Sequence, residues 1–436
     1  MATAAPMTEV TGDAEGFDAE GSDTEGSDTA GSDTAGSDTA TFIVVGINAD
    51  GWSGLSARAR DELSRATVVF GSRRQLGLLQ EIDGETVAWE SPMSTHLASV
   101  LDRPPHPVVH ILASGDPMFH GVGASIITAV GAQRVQVIPA VSSVSLAGAR
   151  LGWDLTETRV ISAVTADAHA VIGELTDGAR ILVLSRDQHT PATVADILTE
   201  RGFGWSTLTV LEQLGGPAEQ ITGGLARSWA REAQTIDPLN IVAISCVGPH
   251  RSRVPGLPDT EYRHDGQITK SPFRALTVSA LRPGGRQVLW DIGSGSGSIA
   301  IEWLRADDRG IAICFELDAD RSHRITDNAH RHGVCSALSV RGPAPDALRS
   351  APDPDVVFIG GGLDEAVLGL AWEALLPGGR LVANAVTVET QTILTGWHAR
   401  LGGVLRRVSI ETAEPLGSMT TWRPALPIVQ WVVDKP

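Results

Sequence analysis

From Thr41 onward, short apolar runs alternate along the chain with stretches of helical periodicity. F-I-V-V-G opens the series at 42–46, followed by V-V-H-I-L at 108–112, R-V-Q-V-I at 134–138, R-I-L-V-L at 180–184 and L-N-I-V-A-I at 239–244. Such runs predict strands, and strands alternating with helices imply largely parallel or mixed sheets covered on both faces. The stretch from Gly248 to Asp265 is proline-rich, polar and aperiodic, so it reads as a linker, with 41–248 and 266–436 as separate domains. Past it the pattern predicts a helix over 271–281, a strand over 287–291, a helix from Ser298, a strand ending at Glu316 and a helix through about His332. Further strands are expected near 337–341, 355–359, 379–385, 404–411 and 428–433. Five strand–helix units followed by two strands with no helix between them make a second, Rossmann-like α/β domain.

The amino terminus has none of this pattern. Residues 1–40 repeat G-S-D-T-A and close variants, hold ten acids and no base, and cannot bury enough apolar surface to offset ordering entropy, so a disordered acidic tail is expected. That tail supplies most of the net charge of -18. What remains has no basic stripe able to track a phosphate backbone, which argues against nucleic-acid binding. Cys246, Cys314 and Cys335 form no C-x-x-C pair, and no apolar stretch approaches the ~20 residues that span a bilayer. The expectation is a cytoplasmic protein without disulfides or a membrane anchor.

The most informative local pattern is Q-V-L-W-D-I-G-S-G-S-G at 287–297. An apolar strand runs into Asp291 and then Gly293, Gly295 and Gly297, with Ser294 and Ser296 between. Glycines let the backbone turn sharply and a ligand lie against it. Glu316 ends the next apolar run, where a carboxylate can accept from both hydroxyls of a ribose. The dinucleotide fingerprint G-x-G-x-x-G is the nearest competitor, but Ser298 occupies the place of its third glycine. In the amino half, Gly115 and Pro117 shape a turn in which Asp116 accepts from a ligand or merely closes the turn, and Ser142 and Ser143 are ligand contacts or helix caps.

Together these segments resemble two known families. The amino half is similar to the tetrapyrrole (corrin/porphyrin) methylases through V-V-G-I-N-A-D-G-W-S-G-L-S at 44–56, G-S-R-R-Q-L at 71–76, A-S-G-D-P-M-F-H-G-V-G at 113–123, P-A-V-S-S at 139–143 and L-E-Q-L-G-G-P-A-E-Q-I at 211–221. The carboxyl half is similar to the decarboxylating corrin methyltransferases of the class I fold through Q-I-T-K at 267–270, D-I-G-S-G-S-G-S, R-G-P-A-P-D-A-L at 341–348, V-F-I-G-G-G at 357–362 and T-T-W-R-P at 420–424. The resemblance implies a two-subdomain class III methyltransferase fold followed by a class I fold. It implies S-adenosyl-L-methionine in both, held by Ser114, Gly115, Asp116, Phe119, Ser142 and Ser143 in the first. In the second it implies Thr269, Gly293, Ser294, Gly295, Ser296, Gly297, Glu316 and Ala344, with Asp346 framing the adenine and Gly360–Gly362 clearing space for a flat macrocycle. The implied chemistry is methylation of precorrin-6B at ring carbons 5 and 15 with decarboxylation of the ring C acetate, and the implied assembly is a homo-oligomer.

Two departures stand in the amino half. Asn48 replaces a usual glycine, which asparagine tolerates if positive φ is required, and I-S-A-V-T at 161–165 replaces a Ser-Leu-His-Gly type of turn. His120 stands where tyrosine is common. A substrate rich in carboxylates calls for guanidinium or ammonium partners. Arg73, Arg74, Lys270, Arg274 and Arg423 are the candidates, each weighed against simple surface solubility, and Arg423 is favoured for its neighbour Trp422. His323, His330, His332 and Cys335 lie at spacings that do not assure convergence, so no metal site is expected. Other readings are a methyltransferase for another tetrapyrrole or small acceptor, a NAD-dependent oxidoreductase, and a scaffold using the acidic tail.

Overall fold

The computed structural model describes residues 40–80, 82–229 and 235–436, so the acidic repeat lies outside the described residues apart from Ala40. The first sheet contains β1 (Thr41–Ile47), β2 (Val68–Gly71), β3 (Glu85–Ala88), β4 (Val108–Ser114) and β5 (Val135–Ile138), in the order β3-β2-β4-β1-β5 and parallel throughout. β1 lies between β4 and β5, and its successive side chains enter opposite cores. Phe42 and Val44 pack with Phe70, Val109 and Ile111, while Ile43, Val45 and Ile47 pack with Leu63, Val69 and Leu112. Burial on both faces is why this strand reads as a continuous apolar run.

The second sheet contains β6 (Thr158–Ser162), β7 (Arg180–Leu184), β8 (Thr207–Glu212), β9 (Gln220–Leu225) and β10 (Asn240–Ser245). Its order is β6-β7-β10-β8-β9, mixed, with β6 and β7 parallel and the other pairs antiparallel.

The third sheet is β13 (Leu338–Arg341), β12 (Ile311–Phe315), β11 (Val288–Ile292), β14 (Val356–Ile359), β15 (Arg380–Ala385), β19 (Ile428–Asp434) and β16 (Val404–Val408), in that spatial order. The first five are parallel and β19 runs antiparallel to both of its neighbours. Chain order reverses between β11 and β14, so a crevice opens at their carboxyl ends, the place where open α/β sheets bind ligands.

One expectation is corrected. The strand expected over 404–411 is two strands: β16 stops at Val408, and β17 (Glu411–Leu416) pairs with β18 (Met419–Pro424) as a separate exposed hairpin. With no buried face, this hairpin carries no apolar alternation to read. The stretch after Gly248 is aperiodic but not loose. Gly256 and Leu257 donate their N–H groups to Glu302 at 2.6 and 3.1 Å, the Arg263 N–H donates to Asn328 Oδ1 at 2.8 Å, and Tyr262 is buried. Backbone donors with no ladder partner are met by buried side-chain acceptors. Among the described residues no helix is long and apolar enough to cross a membrane.

Candidate active sites

In the carboxyl half, β11 delivers the chain to Gly293, Gly295 and Gly297, all at positive φ (71°, 60° and 73°). They differ in what surrounds them. A Cβ on Gly293 would lie 2.4 Å from the Gly361 carbonyl oxygen, and one on Gly297 2.8 Å from Ile325 Cγ2. At Gly295 the nearest atom is the Gln267 carbonyl oxygen at 3.7 Å. The outer two glycines let neighbouring backbone and helix close in, whereas Gly295 borders open space beside the segment that leads to Thr269. Gly360, the first of the Gly360–Gly362 run, donates to the Ile292 carbonyl at 2.9 Å, which lays the second glycine run against the first.

Glu316 follows β12 directly and is turned back over this loop. Its Oε2 accepts from the Gly295 N–H at 2.8 Å, and its Oε1 accepts from Leu317 and Asp318 at 3.1 Å each. A carboxylate offers about four lone-pair sites. Three are occupied, so accepting both hydroxyls of a ribose requires the Gly295 bond to yield. Ser296 Oγ is buried with no hydrogen-bond partner. The Thr269 carbonyl accepts from Arg274, and Ala344 packs against the core cluster that contains Trp290 and Phe315.

Asp291, absent from the residues expected at the site, is 1% exposed. Its Oδ2 accepts from the Ala300 N–H at 3.2 Å, while Oδ1 has no partner. Burial pushes its carboxyl pKa up to about 7, with Glu316 adding repulsion. The sequence signal was present, an acid at the strand end ahead of the glycine turn. Because the folded pKa is raised, its contribution to stability is full below the unfolded value near 4 and is lost as pH rises through about 7. Asp291→Asn lacks that dependence. Chemical denaturation of both proteins at pH 5 and pH 8 should show the parent losing ground to the variant at the higher pH; parallel behaviour would refute a raised pKa.

In the amino half, a cavity of about 410 Å³ lies between the first two sheets. Ser114, Gly115, Phe119 and Ser143 line it, together with Asn48, Arg74 and His120. Asp116 and Ser142 do not. Asp116 Oδ1 accepts from the Met118 N–H at 2.9 Å and closes its own turn, and Ser142 Oγ caps the helix Ser143–Leu151 through the Ser145 N–H. Asn48 is not among the described non-glycine residues at positive φ, so no left-handed turn explains it; it lines the cavity. The altered turn at 161–165 is gripped by Arg186, which donates to the carbonyls of Ala163, Val164 and Ala166, and Val164 joins the lining. Trp89 Nε1, Ser185 Oγ and Asn240 Oδ1 are buried, line the cavity and have no partner. Nothing local in the sequence marks those three as ligand groups.

The substrate-orienting candidates separate cleanly. Arg274 is fully buried: it donates to Glu302 at 2.6 Å, Asp259 at 3.2 Å, the Thr269 carbonyl at 2.5 Å and the Leu257 carbonyl, and it lies over the Tyr262 ring. Four of its five N–H donors are taken within the fold, and with no exposed surface it fastens the chain rather than meeting a substrate. Arg423 sits on the exposed hairpin, paired with Glu414 at 3.1 Å. Successive strand residues face opposite sides, so Trp422 does not pack on it. Arg73 is exposed. Lys270 is half-exposed beside Asp259, and Arg74 donates to Ser114 Oγ at 2.7 Å on the cavity wall.

Family models place a tetrapyrrole (corrin/porphyrin) methylase over residues 41–229 and a precorrin methyltransferase domain over 260–435. A protein of Mycobacterium tuberculosis called precorrin-6Y C(5,15)-methyltransferase (decarboxylating) is 46% identical over 396 residues, covering 90% of this chain and 99% of that protein. One of the same description from Sinorhizobium sp is 44% identical, covering 89% and 95%. A probable cobalt-precorrin-6B C(15)-methyltransferase (decarboxylating) of Saccharolobus solfataricus matches 31% of the chain at 33% identity, covering 72% of its own length.

Proposed function

Since the chain belongs to the family of precorrin-6Y C(5,15)-methyltransferases (decarboxylating), and is therefore a methyltransferase, we propose that it acts on precorrin-6B at two separate sites. The amino half methylates ring carbon 5. The carboxyl half methylates ring carbon 15 and removes carbon dioxide from the ring C acetate, giving precorrin-8X for cobalamin biosynthesis in the cytoplasm, in a homo-oligomer. The supporting observation is that identity to such relatives runs through both halves, each of which holds buried polar atoms awaiting a partner beside a cleft. The dinucleotide and scaffold readings find no such support.

Bound in each cleft, S-adenosyl-L-methionine supplies a methyl group on a sulfonium sulfur. In the carboxyl half the open side of Gly295 leaves room for it, Glu316 keeps a lone pair for a ribose hydroxyl, and Asp291 Oδ1 and Ser296 Oγ are free to engage its polar groups. In the amino half Ser114, Gly115, Phe119 and Ser143 form the wall, with Trp89, Ser185 and Asn240 supplying polar contacts. Such clefts act chiefly by aligning the reacting carbon and excluding water. Arg74 and Lys270 orient substrate carboxylates, one in each half.

Incubating the full chain with precorrin-6B and labelled donor tests this. The product should gain two methyl groups and lose one carboxyl group; a product with no methyl gain overturns the reading. Glu316→Ala should weaken donor binding at the carboxyl site by roughly 10- to 100-fold, the loss of one or two charge-assisted hydrogen bonds, leaving the amino site unchanged. Calorimetry resolving two binding events checks it.

A further inference from the structure

A cluster of metal-binding chemistry lies outside both clefts. One ligand atom each from Asp167, His330 and Cys335 lies within 4.8 Å of the other two. Asp167 belongs to the amino half, just ahead of the short 3₁₀ segment Ala168–Glu174, while His330 is in the last turn of the helix Ala319–His332 and Cys335 follows it. Gly333 caps that helix at φ 75° and turns the chain so that Cys335 comes back beside His330. A Cβ there would lie 2.7 Å from the Gly173 amide nitrogen and 2.9 Å from the His169 carbonyl oxygen, so the two halves are pressed together at this point. The Asp167 N–H donates to Ser336 Oγ at 3.2 Å, a second tie across the same junction.

His169 completes the arrangement. Its Nδ1 lies 2.7 Å from Asp167 Oδ1, and its ring stands edge-on to that of His330 at 5.3 Å. Ligating carboxylates are themselves held by hydrogen bonds from neighbouring groups. Of the four residues that the sequence offered as metal ligands, two converge here and two do not. His323 is exposed. His332 is buried against Tyr262 at 4.7 Å, with its pKa pushed down to about 3 by burial.

We propose that Asp167, His330 and Cys335 bind one divalent transition-metal ion, zinc in the first instance, as a strap joining the two halves, with water in the fourth position and His169 holding the carboxylate. A thiolate, an imidazole and a carboxylate favour zinc or cobalt over magnesium or calcium. The two anionic ligands balance the charge of the ion. All three ligand residues are only partly buried, which leaves the ion a way in. None of these residues lines the amino-half cavity, so the ion's role is to hold the halves together.

The test is titration of the tag-free full chain with cobalt(II). One equivalent should produce visible ligand-field bands and a near-ultraviolet thiolate-to-cobalt band, both displaced by zinc and untouched by millimolar magnesium. Cys246 and Cys314 are buried and cannot contribute the thiolate. Cys335→Ser should abolish the near-ultraviolet band, and His330→Ala and Asp167→Asn should each weaken uptake at least tenfold. Zinc should raise the thermal midpoint of the parent but not of Cys335→Ser, with circular dichroism establishing that the variants are folded. Failure of the parent to take up one equivalent, or a near-ultraviolet band that survives in Cys335→Ser, overturns the proposal.

Discussion

Gly293→Val should silence the carboxyl half while sparing the amino half. At φ 71° any side chain is strained, and a β-branched one more so, by roughly 1–2 kcal/mol or more. The larger obstacle is the Gly361 carbonyl oxygen, 2.4 Å from where the new Cβ would sit. That atom belongs to backbone anchored behind β14, so relief comes only by separating the two glycine runs that floor the crevice. Displacements of about 1 Å cost on the order of 10²-fold in rate, and methylation at carbon 15 with its decarboxylation should fall by at least that factor. Mass analysis of the product should show a single added methyl and an intact acetate. Gly295→Ala is the contrast: its Cβ meets nothing closer than 3.7 Å, so the fold should survive while donor affinity drops. Full carboxyl-half activity in Gly293→Val would refute this picture of the crevice.

The largest loss of stability is expected from Arg274→Met. Arg274 and Glu302 are 0% and 1% exposed in their side chains and 2.6 Å apart. Removing the cation leaves a buried carboxylate held only by Gly256, Leu257 and Tyr262. Breaking one side of a buried pair costs about 3–5 kcal/mol, which for the carboxyl half lowers the melting midpoint by roughly 10 °C. Replacing both, as Arg274→Met with Glu302→Leu, should recover part of the loss: no charge of the pair is stranded, but the Gly256 and Leu257 N–H groups and the Tyr262 hydroxyl lose their acceptor. Thermal denaturation of the single and double variants decides it, and a double variant no better than the single would show that the pair contributes more than charge compensation.

How much of this was legible in the sequence follows from where the information lies. The carboxyl sheet could be read strand by strand because β11, β12 and β14 are buried on both faces and the turn after β11 needs three glycines. The β17–β18 hairpin could not, since neither strand has a face to bury. Glu302 sits in S-I-A-I-E-W-L-R, where a charge ordinarily marks the solvent side of a helix; here that side is covered by the segment after Gly248. Arg274 looked like a handle for an acidic substrate because sequence does not report exposure. The unpartnered Trp89, Ser185 and Asn240 come from distant strands and loops, and Asp167 stands more than 160 positions from the residues it meets. Only the folded chain brings those together.

The packed connection after Gly248 bears on how the two reactions are linked. Its early part is tied to the amino half, through the Arg251 N–H to Thr176 Oγ1 and Arg253 to the Gly173 carbonyl and Glu174, and its later part to Glu302. Swinging one half against the other would break several of these bonds at once, each worth about 1 kcal/mol net. The connection is therefore built into both halves rather than strung between them as a free tether.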